Sequence, residues 1–144
     1  MNIRIGLGGT VLSLILLVSL GSCGHTDNTT PDRILRIYTS QPLVGGRGGA
    51  DTLNAIRIAI EDAGSSFEGA KLEVVGLNDA APSGAFDPAL VRRNANRAAR
   101  DDSTIAYIGD FDSGATEISM PILNRAGILQ VSSASTAVQL TRPT

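Results

Sequence analysis

The chain has 144 residues, a length suited to one domain, with 12 basic and 14 acidic side chains and a formal net charge of −2. So mild a balance points neither to nucleic acid nor to a strongly acidic partner. One cysteine, Cys23, excludes disulfides within the chain, and one histidine, His25, leaves a Ser–His–Asp arrangement in the folded part without a base.

After Arg4 no charge occurs from Ile5 to Leu20. A short basic start, an apolar stretch and small residues before a cut site describe a secretory signal peptide. A true membrane span needs about 20 apolar residues. Leu7 to Leu20 is shorter, is broken by Gly8, Gly9, Ser13 and Ser19, and has no charged stop beyond it. Leu20-Gly21-Ser22-Cys23 resembles the bacterial lipobox, which implies that Cys23 becomes the lipid-bearing first residue of the mature protein. An ordinary free thiol behind a normal signal peptide is the alternative. The expected organisation is a lipoprotein signal peptide over residues 1–22, a polar flexible tether over 23–32 and one domain over 33–144. The place of work is then outside the cytoplasm, on a membrane anchor.

From Arg33 onward strand and helix patterns alternate. Ile34-Leu35-Arg36-Ile37-Tyr38 is a β-rich run leading into a turn-forming stretch from Ser40 to Gly49. Asp51 can cap a helix whose buried face is Leu53, Ile56, Ile60 and Ala63, with Gly64 as its stop. Residues 72–77 form a second strand. Asp87-Pro88 starts a helix running to about Arg100, because aspartate accepts free amides and proline needs none. Residues 105–108 give a third strand, 114–126 a third helix closed by Gly127, and 128–131 a fourth strand. This spacing implies parallel strands joined by right-handed crossovers, a doubly wound α/β sheet.

In such sheets ligands bind outside the carboxyl ends of the strands, which selects the loops 39–50, 78–87, 109–113 and 132–137. Two of these are rich in small hydroxylated residues, Gly109 to Thr116 and Ser132 to Thr136. Free amides and hydroxyls at a helix start suit a carboxylate. Taken singly, each loop is better read as ordinary helix capping. Together at one end of adjacent strands they predict a binding crevice.

The stretch from Ile34 to Thr141 resembles the first lobe of the leucine/isoleucine/valine-type periplasmic binding proteins, the substrate-binding subunits of amino-acid ABC importers. The resemblance is carried by Tyr107-Ile108-Gly109, Ser113-Gly114-Ala115-Thr116, Pro121 to Ile128, Ser132 to Thr136, and Leu140-Thr141, in order and spacing. It implies a type I periplasmic binding protein lobe in which Ser113, Ala134, Ser135 and Thr136 hold the ligand's α-carboxylate and α-amino group. It further implies a small ligand (an amino acid or amide), ABC permease subunits as partners, and no cofactor or metal. Where relatives with apolar ligands carry an aromatic residue in the first loop, this chain has Leu43 to Gly49 with Arg47 near that place, which leaves acidic or polar ligands open. The chain stops at Arg142-Pro143-Thr144, short of a second lobe, so the expectation is a truncated lobe supplying half a site.

Catalytic readings are weaker. Gly45-Gly46-Arg47-Gly48-Gly49 is better read as a turn than as a dinucleotide loop, since Asp51 falls at the third glycine position. Asp110 and Asp112 are a candidate acid pair, with capping or solvation as the plainer reading. No His/Cys/carboxylate cluster has metal spacing. Arg93, Arg97 and Arg100, with Arg92 adjacent, form a basic stripe at helical spacing. A solvated face is the plainer reading, and contact with anionic headgroups or a permease is the functional one. The sequence thus predicts a binding protein rather than an enzyme. The alternatives are a ligand-sensing receptor module of the same fold or a non-functional truncated fragment.

Overall fold

The computed structural model describes residues 33–46 and 48–142. The predicted signal peptide, Cys23, the tether and Arg47 lie outside the described residues.

The sheet is built on β1, Ile34–Gln41, which pairs in parallel with β3 (Ala70–Asn78) on one side and with β4 (Thr104–Ile108) on the other. A strand with parallel neighbours on both sides buries both faces, and Tyr38, Thr39, Ser40 and Gln41 are all buried. The strand therefore runs on where a turn was predicted from Ser40. Its polar end is accommodated because Gln41 Nε2 donates to Thr39 Oγ1 at 3.0 Å and Ser40 Oγ donates to Asp79 Oδ2 at 3.2 Å.

Helix α1, Gly49–Asp62, starts earlier than predicted. Its cap is Gly48, in a left-handed conformation with φ 78°, and Asp51 falls in the first turn, where its charge suits the helix dipole. Of the predicted apolar face, Leu53 is buried, Ile56 and Ile60 are half-buried and Ala63 is exposed. A short strand absent from the sequence reading, β2 (Ser66–Phe67), pairs antiparallel with the start of β3. Glu68 and Gly69 between them both have positive φ, the geometry of a type I′ hairpin turn.

Helix α2 is Pro88–Ala99, and its cap is as expected: Asp87 accepts from the amides of Ala89 at 2.7 Å and Leu90 at 3.3 Å. Helix α3 is Ser113–Arg125, followed by β5, Leu129–Val131, parallel to β4, and by a 3₁₀ turn, Val138–Thr141. The sheet order is β2-β3-β1-β4-β5, parallel except for β2.

The helices lie on opposite faces. Tyr38 and Tyr107 pack with Ala95 and Ala98 of α2 and Leu123 of α3, while Val75, Leu77, Ile122 and Ile128 close the rim of that core. Leu53 of α1 rests on the bare Cα of Gly76, one residue out of phase with Val75, and so covers the other face. That second face carries α1 alone among the described helices. At the β5 edge Leu129 is 65% exposed and Val131 52%.

Candidate functional site

Parallel strands bring their following loops to one rim. The loops after β1, β3, β4 and β5 therefore share it, with the topological switch between β1 and β4 at its centre. Gly109, ending β4, is fitted to this spot: its φ is 146°, and a Cβ there would lie 2.7 Å from the Ser40 carbonyl oxygen. Only glycine lets the two backbones approach so closely.

Asp110 holds the rim together from below. Its side chain is fully buried. Oδ1 accepts from the Tyr107 hydroxyl at 3.1 Å, and Oδ2 accepts from Ser119 Oγ at 2.5 Å. Its carbonyl accepts from Ser132 Oγ at 2.7 Å and Ser135 Oγ at 3.2 Å, while its amide donates to Thr116 Oγ1 at 3.3 Å. Burial raises its pKa, with the Ser119 and Tyr107 hydroxyls opposing. Burial likewise raises that of Tyr107. Asp110 therefore serves as an internal anchor for the α3 and β5 loops, which replaces the acid-pair reading of Asp110 with Asp112.

On that anchor the two predicted hydroxyl loops meet. Ser113 Oγ accepts from the amide of Thr136 at 3.1 Å and of Ala137 at 3.2 Å. Ser113 and Thr136 thus stand side by side on one rim. Ala134 donates its amide to Ser132 Oγ at 3.3 Å, and its carbonyl has no partner among the described residues. Ser135 points inward instead. Its hydroxyl shares a hydrogen bond of 2.7 Å with Thr116 Oγ1, and its amide donates to Ser132 Oγ at 3.0 Å.

The start of α3 differs from that of α2. Asp112 occupies the cap position but makes no side-chain capping bond, and the amides of Ser113 and Gly114 have no acceptor among the described residues. Phe86, from the β3–α2 loop, lies against Gly114, where a Cβ would come within 3.0 Å of the ring. The result is a helix N-terminus with two open amides, the Ser113 and Thr136 hydroxyls beside it and an aromatic edge at its side. Such an arrangement favours a carboxylate.

The sequence reading assigned no individual role to Thr116 or Ser119, nor to Ser132, Gly114 and Phe86. A signal for the first two existed: Thr116 and Ser119 share a helical face with Leu123 at i, i+3 and i+7, so polar groups sit on the buried stripe and call for a buried polar partner. Among the described residues no group of three or more His, Cys, Asp or Glu side chains could hold a metal ion. No described helix is long and apolar enough to cross a membrane.

A mostly parallel sheet of this order has counterparts among solved structures. The leucine-binding protein LivK of Thermotoga maritima superposes with a TM-score of 0.64 at 25% identity, over 75% of this chain and 30% of that one. The chain has the fold of a type I periplasmic binding protein lobe. An ABC transporter substrate-binding protein of Desulfitobacterium hafniense, solved with leucine, matches this lobe with a TM-score of 0.63 at 24% identity, over 76% of this chain and 31% of that one. A solute-binding protein of Rhodopseudomonas palustris, in complex with 3,4-dihydroxybenzoic acid, matches with a TM-score of 0.59 at 23% identity, over 70% and 27%. The lobe resembles these ABC transporter substrate-binding proteins and spans about 30% of the length of the LivK relative. No protein-family model and no curated protein sequence matches the chain.

Proposed function

We propose that the chain is part of the lipid-anchored, extracytoplasmic substrate-binding component of an ABC importer, and that its lobe takes the carboxylate of an amino acid or related small molecule. It acts by binding, with no covalent step. The observation that carries this reading is the contrast between two helix starts on one rim. Aspartate closes the first turn of α2. The first turn of α3 keeps two amides open beside Ser113 and Thr136.

In this reading the Ser113 and Gly114 amides and the Ser113 and Thr136 hydroxyls receive the carboxylate, and the Ala134 carbonyl accepts from an ammonium group. Ser135 contributes by fixing the loop through Thr116 and Asp110. The ligands named for the two liganded relatives, leucine and 3,4-dihydroxybenzoic acid, share little beyond a carboxylate. That shared group is the one a helix N-terminus selects. A second lobe closing over this rim would exclude water and strengthen each of these bonds. Delivery to permease subunits and attachment through lipid at Cys23 complete the proposal.

Amide chemical shifts of the full chain, followed during titration, test the site. Leucine is expected to move the Ser113, Gly114 and Thr136 amide signals, and leucinamide, which lacks the carboxylate, to leave them in place. Equal responses to both, or shifts confined to other loops, would overturn the assignment.

A further inference from the structure

A sizeable groove lies away from the ligand rim, alongside α2. It has a volume of about 670 Å³ and is lined by Tyr38, Arg92, Arg93, Asn96, Arg97 and Arg100, with Asp101 at its end. Tyr38 forms a buried apolar floor, and the Arg97 guanidinium stands 6.0 Å from the centre of its ring. The four arginines are exposed, and none forms an ion pair among the described residues. The one carboxylate in the groove is already engaged. Asp101 Oδ2 accepts from the Tyr38 hydroxyl at 2.8 Å and from Arg36 Nη1 at 3.2 Å, and Oδ1 accepts from Ser103 Oγ at 2.5 Å. The Ser103 contacts, with Tyr38 and Arg36, hold its pKa well below the usual carboxylate range, so it stays charged and committed.

We propose that this arginine-lined groove docks on anionic phospholipid headgroups, seating the lobe on a membrane surface. Charge complementarity is the first argument. The guanidinium presents a fork of donors matched to phosphate oxygens, and four of them stand uncompensated on one surface. Their spread is the second. Arg93 to Arg100 covers roughly 10 Å of helix axis, more than one phosphate can bridge, which suits an array of headgroups rather than a single free anion.

Orientation is the third argument, and it rests on the reading of Cys23 as the lipid attachment point. Helix α2 starts at the ligand rim with Asp87 and ends at the opposite rim. There Asp101 holds Arg36, and the Arg36 amide donates to the Ser103 carbonyl at 2.7 Å. Arg36 is three residues beyond Arg33, so the groove's far end lies within roughly 10 Å of the point where the predicted tether joins the lobe. A lipid at Cys23 and a basic groove at that rim would face the same membrane, while the α3 N-terminus points away from it.

The test is co-sedimentation of the full chain with vesicles of phosphatidylcholine alone and of phosphatidylcholine mixed with phosphatidylglycerol. The wild type is expected to favour the anionic vesicles. The variant Arg93→Gln/Arg97→Gln/Arg100→Gln should lose that preference by roughly fivefold per arginine, and added salt should erase it. Arg57→Gln, on α1, should behave as wild type, and circular dichroism melts of all variants establish that they are folded. Residues 1–22 are common to every variant, so their contribution cancels. Equal partition of wild type and triple variant on anionic vesicles would overturn the proposal, as would an equal loss from Arg57→Gln or the absence of any preference. Protein made without lipid modification serves here, so the outcome is independent of whether Cys23 carries lipid.

Discussion

Asp79 sits at the end of β3 with 1% of its surface exposed. One carboxylate oxygen accepts from Ser40 Oγ at 3.2 Å, and the other, Oδ1, has no partner among the described residues. Burial, followed by the nearby negative charge of Asp110, pushes its pKa from 3.8 up to about 7. The folded state therefore holds a proton that the unfolded chain releases at lower pH. Stability from this group is complete below pH 4 and is lost as pH rises through 7. A climb of that size corresponds to about 4 kcal/mol at 1.36 kcal/mol per pH unit. Asparagine at this site still buries a polar amide, which offsets part of the gain, so removing the charge should recover on the order of 2 kcal/mol. Asp79→Asn keeps the shape and an oxygen for Ser40 while removing the charge. Thermal melts of the full chain at pH 8 should show the variant more stable by about 2 kcal/mol, on the order of 10 °C for a domain of this size. At pH 4.5 the two proteins should melt within a few degrees of each other. Equal destabilisation by Asp79→Asn at both pH values would refute the reasoning, since it would show the charged form to be the favoured one.

Ser119→Ala removes the hydroxyl that meets Asp110 Oδ2 and also the acceptor of Gln130 Nε2, so urea titration should report a loss of about 1–3 kcal/mol. Gly109→Ala forces a Cβ against the Ser40 carbonyl at a φ of 146°, and the same titration should give a loss of more than about 1 kcal/mol. Cys23→Ser should abolish incorporation of radiolabelled fatty acid into the protein expressed in bacteria; undiminished labelling would remove Cys23 as the attachment point.

Most of the architecture was legible because the signals were local. Asp87-Pro88 marked the start of α2, Gly127 the end of α3, and apolar runs the four parallel strands. β2 was missed because two residues carry no periodicity, and only the Glu68-Gly69 turn gives it away. The start of α1 was misplaced because a left-handed Gly48 took the capping role expected of Asp51. At the candidate site the convergence of Ser113 and Thr136 was readable from topology alone. The inward turn of Ser135 and the burial of Asp110 were not. Both depend on Thr116 and Ser119 of α3 meeting Ser132 from the loop after β5, two segments that no short window of sequence displays together.

Coverage of the sheet is unequal, and the inequality sets the order in which the fold would loosen. Helix α2 buries Val91, Asn94, Ala95 and Ala98, and α3 buries Ala115, Thr116, Ser119 and Leu123, whereas α1 buries only Gly49 and Leu53. Deuterium should consequently enter the α1 amides well before those of its two companions, through a partial opening that costs less than global unfolding. Such a breathing motion uncovers the Gly76 side of the sheet and leaves the scaffold beneath Ser113 untouched, so the lobe can fluctuate on one flank without losing its grip on the other.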